Sequence, residues 1–150
     1  MTIDNGATAT ATDRPELTRE VASQVAESAR RTAAGLGIKI TVAVVDTTSA
    51  PVLLDRMDGA RAVTVKLALG KAKASALWGQ PSADLAARFA PAPQLTNALI
   101  AQWGGEFVAV GGAVPLVVDG VELGAVGVSG GSAAQDADCA AAGAAALAVG

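Results

Sequence analysis

The sequence contains no histidine and no tyrosine in 150 residues. The first absence removes the commonest general base and the commonest metal ligand together. A lone cysteine, Cys139, excludes a disulfide within the chain. Positive charge is scarce: 11 Lys and Arg stand against 14 Asp and Glu, a net charge of -3 with a sequence pI near 4.8. The cations are scattered, so no basic field exists to neutralise phosphates, and nucleic acid is excluded as a partner. No apolar run reaches about 18 residues without a charge or a turn signal, and no membrane span is expected. The start, MTIDNGATATATDRPE, has neither a basic n-region nor an apolar h-region, so no signal peptide is expected and the chain reads as cytoplasmic. Any chemistry must use Lys, Arg, Asp, Glu, Ser, Thr, backbone amides or Cys139.

What is present is apolar and small. Hydrophobic residues make up 51% and charged ones 17%, a charge-poor composition that suggests surface buried in a homo-oligomer. The length suits one domain. Residues 1–12 form a low-complexity tail expected to be disordered, and 13–150 form the domain. Asp13, Pro15 and Glu16 predict a helix start, followed by an apolar stripe through Leu17, Val21, Val25, Ala29 and Leu36. IKITVAVVD (38–46) and PVLLDR (51–56) predict a β-hairpin. SADLAARFA, capped by Ser82, and PQLTNALIAQW, ended by Gly104 and Gly105, predict short helices. FVAVGG and AVPLVVDGVELGAVGVSGG predict three strands, the last two joined at Asp119-Gly120. Ser132 and Gln135 form a capping box before a final Ala-rich helix. Hairpins between helices imply an α+β domain: an antiparallel sheet flanked by helices.

Between the hairpin and the short helices lies RMDGARAVTVKLALGKAKASALWG (56–79), a helix with Asp58 as its expected N-cap. Val63, Leu67, Gly70, Ala74 and Leu77 line one stripe, and Val65, Leu69, Ala72 and Ala76 a second. Lys66 and Lys73 share a facet, whereas Lys71 sits about 140° from the first and about 200° from the second at 100° per residue. Lys71 therefore faces inward with Ser75, where an ammonium needs a partner: a structural ion pair, a ligand carboxylate or a catalytic proton. GVSGGSAAQD (127–136) ends a strand at a helix N-terminus whose amides could receive an anion, with Asp136 in the first turn. GGAVP (111–115) suggests a bulge or a close backbone approach. Cys139 reads as a buried inert thiol.

The succession VAVVD, RMDGA, KAKASA, GGAVPLVVDGVELGAVGVSGG and QD resembles the GlcG/HbpS-like family of haem-binding and haem-degrading-type proteins over about residues 17–148. The resemblance implies a profilin-like α-β-α layered sandwich that assembles as dimers to octamers. It places Asp46, Arg56, Met57, Asp58, Gly59, Lys71, Gly111, Gly112, Pro115, Gly120, Gly124, Gly127, Ser129, Gly130 and Asp136 at motif positions. This sequence departs from the family by lacking both the export signal of secreted members and the histidine to which haem ligation has been attributed. Ser49 also stands where the pattern has a turn glycine. Met57, Cys139 or a lysine would remain as haem ligands, and only Trp78, Phe89, Trp103 and Phe107 as aromatic lining.

The expectation is a small-molecule pocket near a subunit interface. Lys71 and Asp136 are the candidate acid/base pair of a cofactor-independent enzyme doing proton transfer, cyclisation or isomerisation. Arg56, Ser75, Gly112, Ser129, Gly130 and Gly131 are the candidate substrate-binding residues, with no metal site. Haem or tetrapyrrole binding is the alternative, and a scaffold for a partner enzyme a third reading.

Overall fold

Thr18 opens the first helix, α1 (Arg19–Leu36), by accepting the Val21 N–H on its hydroxyl oxygen at 3.1 Å. The structure is a computed structural model that describes residues 14–149. The expected tail, and Asp13 of the expected capping box, lie outside the described residues. Glu16 precedes the helix, because the hydroxyl of Thr18 meets the first free N–H group. Gly37 at φ 72 ends α1 in a left-handed turn, its N–H directed at the Ala33 and Ala34 carbonyls.

Four antiparallel strands follow as two hairpins, β1 (Thr41–Asp46) with β2 (Pro51–Arg56), and β3 (Ala113–Val118) with β4 (Val121–Ser129). They form one sheet in the order β2-β1-β4-β3. Asp119 and Gly120 both take positive φ, 51° and 76°, as a two-residue hairpin turn of the primed kind requires. The expected strand at FVAVGG does not form. Phe107 is buried with Ala74, Leu85 and Phe89, and the Val108 N–H donates to the Gly70 carbonyl at 3.2 Å. This segment packs on a helix rather than the sheet because Gly70 leaves the room: a Cβ there would stand 2.5 Å from Val108 Cγ2.

That helix is α2 (Val63–Trp78). Asp58 does not cap it, since the left-handed turn at Gly59 (φ 86) delays the helix and Ala62 takes the N-cap position without a side-chain bond. Ala68, Ala72 and Ala76 of α2 pack on Ala43, Val45 and Ala125. The approach is close enough that a Cβ at Gly127 would lie 2.3 Å from the Ala68 carbonyl oxygen. Because small residues make this contact, the larger Val63, Leu67 and Leu77 are left exposed, against the stripe pattern.

On the other sheet face, α1 and α5 (Ala133–Ala145) cover Ile40, Val42, Val44, Val126 and Val128 with Val25, Ala29, Cys139 and Ala140. The Ser132–Gln135 capping box opens α5. Two short helices, α3 (Ser82–Phe89) and α4 (Pro93–Gln102), flank α2. Ser82 does not cap α3: Pro81 holds that position, and the Ser82 hydroxyl accepts the Ala113 N–H at 2.8 Å, tying α3 to β3. The result is the α-β-α layered sandwich of an α+β domain.

Candidate functional site

Charge gathers in two places, and the first is closed. Lys71 Nζ donates to Asp136 Oδ2 at 2.9 Å and to the Val128 carbonyl at 3.1 Å. The other carboxylate oxygen, Oδ1, accepts the Gly131 N–H at 2.7 Å. Lys71 is 4% exposed and Asp136 2%. Lys71 belongs to α2 and Asp136 to the first turn of α5, on opposite faces of the sheet. Their contact passes Gly112, where φ is 138° and a Cβ would lie 2.8 Å from Nζ and 2.7 Å from the Val128 carbonyl oxygen. Gly112 is a glycine because the ammonium and the strand backbone occupy the space a side chain would take.

Of the eight candidate residues, Lys71, Asp136, Gly112 and Gly131 therefore converge. Gly131 has its amide committed to Asp136. Ser75 does not join them: its hydroxyl donates to the Gln80 carbonyl at 2.7 Å and closes the end of α2. Ser129 is buried and lies opposite Thr41 in the sheet. Gly130, at φ 151, rests against the Lys39 backbone, where a Cβ would be 2.1 Å from the carbonyl oxygen. Arg56 is two strands away, across β1 from β4.

The second place is open. At the end of β2 a groove of about 410 Å³ is lined by Arg30, Lys39, Asp55, Arg56, Met57 and Asp58. A second groove of about 330 Å³, lined by Glu27, Arg30, Arg31, Ala34 and Met57, shares Arg30 and Met57 with it. The local sequence builds this corner. Arg56 donates through Nε and Nη2 to the Ala60 carbonyl at 3.0 and 2.7 Å, which folds the RMDGA segment into a turn. The Met57 N–H extends the sheet by donating to the Ile40 carbonyl at 3.0 Å. In return the Ile40 N–H donates to Met57 Sδ at 3.5 Å, which fixes the sulfur at the sheet end. Arg30 Nε stands 2.9 Å from Asp55 Oδ2, without the alignment of a hydrogen bond. Arg30 and Lys39 were not legible as members of this corner, because only tertiary packing brings α1 and the α1–β1 loop to the end of β2.

Three further cavities lie elsewhere on the molecule. One of about 290 Å³ lies among Val21, Val118, Leu123 and Leu147, one of about 200 Å³ among Phe89, Pro93 and Ala109, and one of about 170 Å³ beside Lys66 and Glu106. Lys71 and Asp136 line none of the five.

Cys139 is fully buried, and burial, followed by the negative charges of Asp136 and Asp138, pushes its thiol up to about 11. The Asp46 carboxyl is held below its ordinary value, chiefly by the Thr48 hydroxyl, against the opposing effect of burial, which is second in size, and with further help from the Ala50 and Thr48 N–H groups. Both groups are structural. Among the described residues no group of three His, Cys, Asp or Glu could hold a metal ion, and no helix is long and apolar enough to cross a membrane.

The family model described as "Haem degrading protein HbpS-like" matches residues 17–145. This chain belongs to the HbpS-like family. It is 32% identical to a double mutant of Streptomyces reticuli HbpS over 90% of this chain and 89% of that one, with a TM-score of 0.79. It is 29% identical to PduOC, solved as a haem complex, over 89% and 96% of the two chains, with a TM-score of 0.80. A Citrobacter freundii relative, an uncharacterised 15.0 kDa protein of the dhaT-dhaS intergenic region, is 29% identical over 80% of this chain and 84% of its own length.

Proposed function

We propose that this HbpS-like chain binds haem or a closely related tetrapyrrole, and that the groove at the end of β2 is the place. The observation that carries the reading is the meeting of a thioether, Met57, with the cations of Arg30, Lys39 and Arg56 in one groove. Haem iron in proteins is held by His, Cys, Met or Tyr. Of the five cavities, only the two lined by Met57 carry any of these residue types. Each of those two lies within the roughly 300–1,000 Å³ usual for small-molecule sites. Guanidinium and ammonium groups suit the carboxylates that every natural tetrapyrrole of this class carries. The HbpS-like family and the haem complex of PduOC add independent support. Bound haem would supply iron redox chemistry, while this chain's residues hold and orient it.

A homo-oligomer completes the reading. Helix α4 buries no residue fully and exposes Leu95 and Ile100, with exposed Trp103 just past its end, while α2 exposes Val63 and Leu67. Such apolar surface suits contact with further copies of the chain. The cofactor-independent enzyme reading takes second place, because proton exchange between a substrate and Lys71 or Asp136 would need an opening to a pair that is 4% and 2% exposed and lines none of these five cavities. Haemin titration followed at the Soret band tests the proposal. A saturable band at one haem per chain or per pair of chains is expected, weakened by roughly tenfold or more in Arg30→Met, on the scale of one charged hydrogen bond. A featureless, non-saturating response would overturn it.

A further inference from the structure

We infer that β2 is the edge along which two copies of this chain join, strand to strand about a two-fold axis at Leu54, into one continuous sheet. The inference goes beyond the haem reading and does not depend on it. In the order β2-β1-β4-β3 the outer strands are β2 and β3, and an outer strand presents unpaired N–H and C=O groups that another strand can take. The sequence closes β3. Pro115 lacks an N–H, the register shifts between Leu116 and Val117, and the Ala113 N–H is taken by the Ser82 hydroxyl at 2.8 Å. On β2 the corresponding devices, Pro51 and the register shift between Val44 and Val45, both sit at the turn end. Residues 53–56 are left regular and open.

The ladder fixes which backbone groups are free. The Met57 N–H donates to the Ile40 carbonyl at 3.0 Å, so Asp55 and Leu53, two and four residues back, also turn their backbone groups toward β1. Leu54 and Arg56 turn theirs away from the sheet. Leu54 pairs with Ala43 of β1, whose side chain packs under α2. Leu54 therefore stands on the α2 face of the sheet, and it is 45% exposed. A second copy fits this edge because the edge is complementary to itself. With the axis at Leu54, that leucine is covered by Leu54 of the partner subunit, Arg56 lies opposite Val52 of the partner subunit, and about six backbone hydrogen bonds close between the strands. The neighbouring registers are worse, since an axis at Asp55 sets two carboxylates opposite one another and an axis at Arg56 two guanidiniums. Along the same edge α1 carries Glu27 and Arg31, an exposed pair at 2.8 Å, in the groove they share with Met57. The axis runs α1 antiparallel to its copy, so each acid can face the other's arginine. The same register sets Pro51 of the partner subunit beside Met57, an apolar neighbour for a groove otherwise lined by charge.

Disulfide crosslinking tests the inference, read beside the mass in solution by light scattering. Cys139 is fully buried, so Leu54→Cys adds the one accessible thiol among the described residues. It would lie directly opposite its copy, at the roughly 5.5 Å between Cα atoms that a disulfide spans. Mild oxidation should convert most of the Leu54→Cys protein to a covalent dimer that keeps the wild-type mass in solution, whereas Val117→Cys, exposed on β3, should stay uncrosslinked. Leu54→Lys, which places two ammoniums at the axis, should at least halve the mass in solution while circular dichroism keeps the folded spectrum. Leu54→Cys decides alone if Leu54→Lys does not fold. A wild type that is monomeric, a Leu54→Cys protein that crosslinks no more than Val117→Cys, or a folded Leu54→Lys protein of wild-type mass would each overturn the inference.

Discussion

Two ion pairs in this molecule use the same elementary attraction to opposite ends. Lys71–Asp136 closes at 2.9 Å with side chains 5% and 3% exposed, whereas Arg30–Asp55 closes at the same 2.9 Å with side chains 43% and 26% exposed. The first has further partners inside the protein: the ammonium a strand carbonyl and the carboxylate a backbone amide. Such a pair is a crosslink between the two helical layers, and its removal exposes the fold to an unpaired buried charge. The second belongs to a half-exposed arginine that lines an open groove beside a thioether. Burial, not charge, separates the strut from the proposed binding site.

The largest expected effect comes from breaking the closed pair. Lys71→Met leaves Asp136 buried without its cation and should cost about 3–5 kcal/mol of stability, read as the loss of free energy in urea unfolding. Lys71→Met combined with Asp136→Leu should recover much of that loss, since an apolar pair removes the stranded charge. A single mutant as stable as wild type would deny the crosslink.

A smaller effect tests the same buried layer by pH. The Cys139 thiol is raised in the folded state to about 11 from an ordinary 9.0, so between those values the unfolded chain releases a proton that the folded chain keeps. Stability should be unaffected by this group below about pH 9 and fall between pH 9 and 11, by on the order of 2 kcal/mol. Cys139→Ala should remove that part of the slope, and an unchanged slope would mean that the thiol is not shielded. Smaller again is Ser49, held at φ 69 where the family pattern has a turn glycine. Ser49→Gly should raise stability by less than about 1 kcal/mol, seen as a small rise in Tm, the relief of the left-handed strain exceeding the loss of a long 3.4 Å hydrogen bond to the Lys73 carbonyl.

Much of this contrast was legible in the sequence, and the limit of legibility is physical. The inward direction of Lys71 follows from 100° per residue set against Lys66 and Lys73, and the partner it required proved to be the Asp136 of the QD motif. The β3–β4 turn was legible because Asp119-Gly120 admits positive φ at both positions. Features set by distant packing were not legible. Val108 alternates like a strand residue yet bonds to a helix carbonyl. Val63 and Leu67 keep helical spacing yet face outward, because alanines make the closer contact with the sheet. Arg30 looks like any solvated helix cation until α1 settles beside β2.

The measurement that tests the central claim most directly is a haemin titration, followed at the Soret band alongside Tm, of Arg30→Met and of the neutral Lys71→Met/Asp136→Leu double variant. The account predicts a crossed result: Arg30→Met keeps its Tm and loses haem affinity, while the double variant shifts in Tm and binds haem as wild type does. A double variant that stays folded but no longer binds haem, beside an Arg30→Met protein that binds normally, would contradict it and return the functional site to Lys71 and Asp136.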